Sequence, residues 1–343
     1  MTPVRPWLTP LVPLYRLGLA VRALRLRTGM ERVQRLQQPV VSIGNLSAGG
    51  AGKTPLAIAL TQALARRGVA VDVLSRGYGR QSKLAARVEP GGSPRDFGDE
   101  PLLIARATGL PVYVAAQRYQ AGLLAESEAT VPAVHLLDDG FQHRQLHRDI
   151  NILLLRARDL RDRLLPAGNL REPLSALRRA TIIAIPDDEP EIEEYLREVV
   201  PAGVGTQLPR CSEPLWRLRR VMDVPPAVGP VLAFCGIARP EQFFAGLESG
   251  GLRLAARAAF RDHYAYTARD LHRLAAQASA AGATALVTTE KDRVRLEHLA
   301  GALPAELPLL TAGLRMEILD EEAAMKWLLK QLARKLARVD PLL

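Results

Sequence analysis

The sequence is poor in cysteine: Cys211 and Cys235 stand far apart and neither belongs to a C-x-x-C pair. That argues against a disulfide framework and a thiolate zinc site, and makes a reducing cytosolic compartment the default. Aromatic residues supply only 5% of the 343 positions while hydrophobic residues supply 48%, which suits an aliphatic α/β protein long enough for two domains. No apolar run reaches the ~20 residues that cross a bilayer. Internal repeats and low-complexity tracts are missing, and the leading segment lacks the small-residue cleavage site of a signal peptide. No RNP aromatic pair, zinc finger or basic zipper is present, so nucleic acid is not expected as a partner.

What the chain has is positive charge: 46 Lys+Arg against 36 Asp+Glu, a net +10, carried mostly by arginine. Such a balance attracts an anionic membrane surface or a phosphorylated substrate. A plain compositional bias toward arginine reads equally well at this point.

The most informative stretch runs from Val40 to Pro55, VVSIGNLSAGGAGKTP. It reads as a buried strand, a loop of small residues and a helix opening at Lys53-Thr54. Glycines in such a loop let backbone N–H groups turn inward on an anion at a helix N-terminus. The lysine then reaches the β/γ-phosphates and the threonine hydroxyl can ligate Mg²⁺. The phosphate-binding loop is assigned to Ser47, Ala48, Gly49, Gly50, Ala51, Gly52, Lys53 and Thr54, with Ser47 where the G-x-x-x-x-G-K-[ST] pattern has its first glycine. Pro55 suits a first helical turn, where its missing N–H costs nothing.

Aliphatic runs at Ala70–Leu74, Pro111–Ala115, Ala133–Leu137, Ile150–Leu155 and Thr181–Ile185 read as strands buried on both faces, hence a mostly parallel sheet covered by helices. After a Pro- and charge-rich segment, strands at Val231–Cys235, Leu254–Phe260 and Ala283–Val287 define a second α/β unit, with helices at Pro240–Leu247 and Thr267–Ala281. The expected fold is therefore a P-loop NTPase-like α/β/α sandwich with a second, smaller α/β/α domain and a short β linker. Its boundaries are 36–212 for the P-loop domain, 213–225 and 307–319 for the linker, 226–306 for the smaller domain and 320–343 for a closing helix region. Residues 1–35 carry a basic helix over Leu14–Arg35, whose Leu14, Leu17, Val21 and Leu24 form one stripe among arginines. With Trp7 and Tyr15 near one end, it can lie in a membrane interface; packing its stripe on the domain is the alternative.

Other blocks follow strand ends, where α/β sheets place ligands. Asp138 and Asp139 close the strand Ala133–Leu137 and suit Mg²⁺ bound between phosphates. Arg76 and Arg80, within Ser75-Arg76-Gly77-Tyr78-Gly79-Arg80, suit a bidentate grip on phosphate or carboxylate. In Gly98-Asp99-Glu100-Pro101 a helix N-cap is as good a reading as catalysis on pattern alone. His263 sits in a short turn before a helix capped by Thr267. Thr289-Glu290-Lys291-Asp292 departs from a guanine-reading N-K-x-D box, because its lysine and aspartate are adjacent.

Together with Leu170-Arg171-Glu172-Pro173-Leu174 and Asp138-Asp139-Gly140-Phe141-Gln142-His143, these motifs resemble, in order and spacing, the tetraacyldisaccharide 4′-kinase family of lipid A biosynthesis. The resemblance runs to about residue 320. Asn169 stands where that family has proline and Tyr264 where a second histidine is common.

The resemblance implies two α/β/α domains with ATP in the cleft between them. It implies transfer of the γ-phosphate of ATP, with Mg²⁺, to the 4′-hydroxyl of an acylated disaccharide 1-phosphate, giving lipid IVA. It also implies a monomeric, peripheral enzyme on the cytoplasmic face of a Gram-negative inner membrane. Lys53 and Thr54 would grip the phosphates and Mg²⁺, Asp138 and Asp139 would serve the metal, and Asp99 with His263 would form the base. Arg76, Tyr78, Arg80, His143, Arg171, Glu172 and Lys291 are its candidate substrate or phosphate contacts. The competing class is a P-loop GTPase or metallochaperone-like switch; a membrane scaffold with a decayed nucleotide site is disfavoured by the intact Lys53, Thr54 and Asp138.

Overall fold

The computed structural model describes residues 5–199 and 214–339. Residues 1–4 and 340–343 therefore lie outside the described residues, as do Cys211 and the stretch that closes the expected P-loop domain. The strands are β1 Val40–Asn45, β2 Val71–Ser75, β3 Ala86–Arg87, β4 Val112–Val114, β5 Val134–Leu137 and β6 Ile150–Leu154. They continue with β7 Ile182–Pro186, β8 Leu215–Asp223, β9 Val231–Cys235, β10 Leu254–Ala259, β11 Ala285–Thr289 and β12 Leu309–Ile318. Among the described residues they join in one 12-stranded sheet, ordered β10-β9-β11-β12-β8-β7-β6-β1-β5-β2-β4-β3.

Two parallel groups share this sheet. β1 lies between β5 and β6, with Val41 level with both Leu136 and Ile150, and β9 lies between β10 and β11. Strand β12 connects the groups by changing partner along its length: Leu309–Ala312 run parallel to β11, and Gly313–Ile318 run antiparallel to β8. Mostly apolar sequence is the local cause of the buried strands: every residue of β1, β2, β5 and β9 is buried, with Ser42, Asn45, Asp72, Ser75 and His135 as the polar exceptions, as expected where helices cover both faces.

The core beneath β1 is aliphatic, with Val41, Ile43, Leu56, Leu60 and Leu136 at 0% exposure. Gly44 is required there by close approach, since a β-carbon on it would fall 2.4 Å from Phe141 Cβ. That contact presses the segment after β5 against the strand carrying the glycine loop, so the two strand-end blocks are registered by packing.

The N-terminal element differs from expectation in length and shape. Pro6–Leu11 form a 3₁₀ turn and the α-helix covers Val12–Arg27 only. It stops at Thr28, followed by Gly29 at φ 75°, a left-handed position glycine fills at no steric cost. Its stripe faces outward: Leu14 is 67% exposed and Leu17 59%. No helix among the described residues is long and apolar enough to cross a membrane.

Candidate active site

The loop after β1 is shaped by Gly49, Gly50 and Gly52 at φ 80°, 45° and 92°. The helix Lys53–Ala65 begins directly after it, so its unpaired N–H groups and dipole face the loop. Lys53 Nζ donates to Asn45 Oδ1 at 3.0 Å and lies 3.4 Å from Asp139 Oδ1. Thr54 is buried. Ser47 bridges to Leu170, Ala48 N donates to Asn169 O (2.8 Å) and Arg171 N to Leu46 O (2.7 Å). The loop around Asn169 thus braces the phosphate loop through its backbone. Asn169 itself donates from Nδ2 to Asp162 at 2.9 Å and from its backbone N–H at 3.2 Å; a proline there would lack that N–H.

Asp138 and Asp139 emerge together and part. Asp139, at φ 48°, takes Lys53 and Arg171 Nη1, the latter at 3.1 Å. Burial alone would raise its pKa, but Lys53, Arg171 and Arg118 outweigh it and hold the carboxyl low. Asp138 is 2% exposed and its Oδ1 has no hydrogen-bond partner. Burial first, then the charges of Glu100 and Asp139, push it up to about 7. An orphaned carboxylate oxygen costs ~1–3 kcal/mol or more, and a divalent cation is the natural partner for it. Thr54 with one carboxylate and phosphate oxygens is the ordinary Mg²⁺ donor set of such a loop. No cluster of three acidic, histidine or cysteine side chains suited to a metal occurs among the described residues.

A second cluster forms where the helix Asp99–Thr108 meets the helix Glu290–Leu296. Asp99 stands just inside its helix, after Gly98 (φ 89°), and makes no side-chain cap beyond accepting Glu100 N–H at 3.1 Å. Its Oδ2 accepts from Arg295 Nε (2.9 Å) and Nη2, and His263 Nδ1 lies 3.2 Å from that oxygen and 3.1 Å from Arg295 Nη2. Burial would raise Asp99; the bond from His263 and the charges of Arg295 and Lys291 reverse that and hold it well below the usual carboxylate range. His263 is raised, chiefly by its bond to Asp99. It sits at φ 57°, its backbone N–H donating to Gly236 O at 3.2 Å. With Nδ1 turned to Asp99, Nε2 is the ring nitrogen on the far side from that carboxylate, 3.9 Å from Asp262 Oδ1.

Other expected residues fall in three places. Tyr78 is exposed and its ring lies 5.5 Å from that of His263; Lys291 pairs with Glu100 at the same interface. Arg76 is exposed in the same turn. Arg80 folds back onto its own turn, donating to Leu84 O and covering Gly77. His143 is pushed down to about 3 by burial and by Arg118, Arg148, Arg22 and Arg76, so it stays neutral beside a cationic group of side chains. Glu172 pairs with Arg179, whose guanidinium lies 4.3 Å over the Phe141 ring. Arg295 escaped sequence reading because it belongs to no motif; its one signal is helical spacing, three residues after Asp292, whose Oδ1 it meets at 2.9 Å.

A parallel sheet with a lysine-bearing glycine loop on a central strand and acidic residues at the next strand end defines a P-loop nucleotide-binding protein. The family model described as tetraacyldisaccharide-1-P 4′-kinase matches residues 4–333. The chain is 41% identical over 338 residues to the tetraacyldisaccharide 4′-kinase of Koribacter versatilis, covering 96% of this chain and 99% of that one. It is 40% identical over 314 residues to that of Geobacter sulfurreducens, covering 87% and 86%. A crystal structure of LpxK from Aquifex aeolicus in complex with ATP superposes with a TM-score of 0.71 at 33% identity, covering 95% of this chain and 98% of that one. The chain belongs to the tetraacyldisaccharide 4′-kinase family. That membership decides for a kinase against the GTPase or metallochaperone-like switch.

Proposed function

We propose that this chain transfers the γ-phosphate of ATP to the 4′-hydroxyl of an acylated disaccharide 1-phosphate, giving ADP and lipid IVA, with the donor on the glycine loop and the acceptor beside His263. The observation that carries the reading is the Asp99–His263 pair in the same fold as a phosphate loop with Lys53 and Thr54 in place. In the transfer, the sugar oxygen bonds to phosphorus as the bond to the β-phosphate oxygen breaks. The hydroxyl proton passes to Nε2 of His263, which Asp99 orients and Arg295 steadies. Lys53 and the loop N–H groups hold the triphosphate, and Arg171 and Arg76 are placed for anionic groups of donor or acceptor. Asp138 and Thr54 would hold Mg²⁺, which neutralises phosphate charge when bound. The division into two lobes at 213–225 and 307–319 is part of this reading. ADP release should require the acceptor and should fall to background with an acceptor lacking the 4′-hydroxyl; release that ignores that hydroxyl would overturn it.

The same reading puts the enzyme on an anionic membrane surface as a peripheral monomer at the inner face of the bacterial inner membrane. Trp7, Leu11, Leu14, Leu17, Val21 and Leu24 are all exposed, and Leu14, Leu17, Gly18 and Val21 line an open groove of about 560 Å³ with Arg22 and Arg25. The helix is tied to the site by polar contacts, Tyr15 Oη to Arg171 O at 2.9 Å and Arg22 Nη2 to Gln142 O at 3.0 Å. Deleting it would therefore disturb both ends. The double substitution Leu17→Glu with Leu24→Glu is the cleaner test, since both residues are exposed. At ~1.5–3 kcal/mol per buried leucine, binding to anionic vesicles should fall by 100-fold or more with the melting temperature kept; unchanged vesicle binding would refute the membrane role.

A further inference from the structure

Three guanidinium groups from three elements converge on the glycines of the phosphate loop. Arg158 follows β6 and donates from Nη2 to Gly49 O at 3.2 Å. Arg220 lies on β8, and a β-carbon on Gly52 would be 3.8 Å from its Nη2. Arg239 follows β9 at the start of the helix Pro240–Ser249, and a β-carbon on Gly50 would lie 3.3 Å from its Nε. The neighbouring Ala238 stands 3.7 Å from the corresponding position on Gly49.

Each of these arginines keeps one buried donor without a protein partner, although Arg158 also donates to Gly49 O and Arg220 Nη1 to Gln242 Oε1 at 3.5 Å. Nη2 of Arg239 and Nε of both Arg158 and Arg220 are buried without a hydrogen-bond partner. The carboxylates nearby do not close these gaps: Asp159 Oδ2 accepts Arg156 N–H at 3.1 Å, and its Oδ1 pairs with Arg158 Nε only at 3.6 Å, leaving both atoms without a hydrogen bond. Glu189 is held by Arg156 and by Ala157 N–H at 2.6 Å. Buried donors without acceptors are costly, and like charges gathered at a helix N-terminus create a strong positive potential. A polyphosphate answers both.

Arg239 differs from the other two in what it is attached to. Gly236 O, three residues upstream, accepts His263 N–H at 3.2 Å and Arg295 Nη1 at 2.9 Å. One short segment therefore holds the turn of the proton acceptor at one end and reaches the donor's loop at the other. Three residues span at most ~10 Å, so the segment sets the distance between the base and the phosphate.

We propose that Arg239 is an arginine supplied from the second strand group to touch the β/γ-phosphate oxygens of the nucleotide bound on the loop, with Arg158 and Arg220 as positioning residues beside it. The inference rests on the ATP-kinase reading above. As the bond between the γ-phosphorus and the bridging oxygen lengthens, charge gathers on the oxygens of the leaving β-phosphate. A planar guanidinium at Gly50 is placed to stabilise that charge, a role of large effect elsewhere among phosphoryl-transfer enzymes.

The test compares wild type, Arg239→Ala and Arg239→Lys for kcat with ATP and acceptor, for direct ADP binding, and for melting temperature. Arg239→Ala should lose 100-fold or more in kcat, at least tenfold more than its affinity for ADP falls, while its melting temperature holds. Arg239→Lys should recover little, and free guanidinium should restore part of the activity of Arg239→Ala but none to Lys53→Ala. A kcat within threefold of wild type overturns the inference. So does a parallel fall of kcat, ADP affinity and melting temperature without guanidinium rescue, the pattern of a merely structural residue. A wild-type enzyme that transfers nothing overturns the kinase reading and this inference with it.

Discussion

Replacing Asp99 with asparagine should lower kcat by ~10²–10⁴-fold, the range of a lost general acid–base contribution, while KM for ATP changes little. The acceptor's proton leaves through His263, and Asp99 fixes which ring nitrogen faces the hydroxyl. Asparagine keeps the shape but not the charge, so the ring loses its orienting anion. Alanine is the poorer probe, because Asp99 and Arg295 have side chains only 7% and 8% exposed. Stranding a buried guanidinium costs ~3–5 kcal/mol, and a loss of folding would mimic a loss of chemistry.

The pH dependence supplies an independent sign. His263 is raised by its bond to Asp99, and a base acts only unprotonated. Activity should therefore rise with pH through a limb lying above the ordinary histidine value of ~6.5. In Asp99→Asn the anion that raises the histidine is gone, so that limb should move to lower pH. The folding contribution of the raised histidine has the opposite sense: it is fully present below ~6.5 and is lost as pH climbs through the folded value. A pH–rate profile of Asp99→Asn with the wild-type limb and a wild-type kcat would remove the pair from the mechanism.

The second large effect is expected at Lys53. Its ammonium is the mobile point charge of the loop, held ready by Asn45 and Asp139, and removal of one such preorganised charge typically costs 10²–10³ in kcat. Lys53→Ala should reach that range and weaken ATP binding as well, in contrast to Asp99→Asn. Stability should be spared, because Arg171 remains on Asp139 at 3.1 Å. Turnover within threefold of wild type would contradict the phosphate role.

Much of this architecture was legible from residue order. Val231–Cys235 is a run of buried aliphatics with one aromatic and one cysteine, and the strand has those bounds. Thr267 forms the predicted cap, its hydroxyl accepting Asp270 N–H. Period and capping are local properties, so sequence carries them. The arginine periodicity of the N-terminal helix continues past Gly29 to Arg35, yet the helix ends at Arg27 because the backbone turns left-handed at Gly29. β3, two residues long, has no apolar run to announce it.

The site was legible in its motifs and opaque in its pairings. Lys53, Asp138 and Asp139 could be gathered from the chain because each closes or follows a strand. Arg295 and the arginines at 158, 220 and 239 could not, since their meaning depends on which helix faces which loop. For Arg239 and Arg295, in the second strand group, the partners depend on β12 changing from β11 to β8, and for Arg158 on β6 lying beside β1, long-range arrangements that no window of sequence contains. Glu172 shows the reverse: it belongs to a recognisable motif, yet its carboxylate is occupied by Arg179.

The most direct measurement supplies ATP labelled at the γ-phosphate with a detergent-dispersed tetraacyldisaccharide 1-phosphate and locates the label. Label is expected on the lipid, at the 4′-oxygen, in proportion to ADP formed, with none appearing for Lys53→Ala on the same time scale. Label recovered only as inorganic phosphate, with the lipid unlabelled, would contradict the kinase reading.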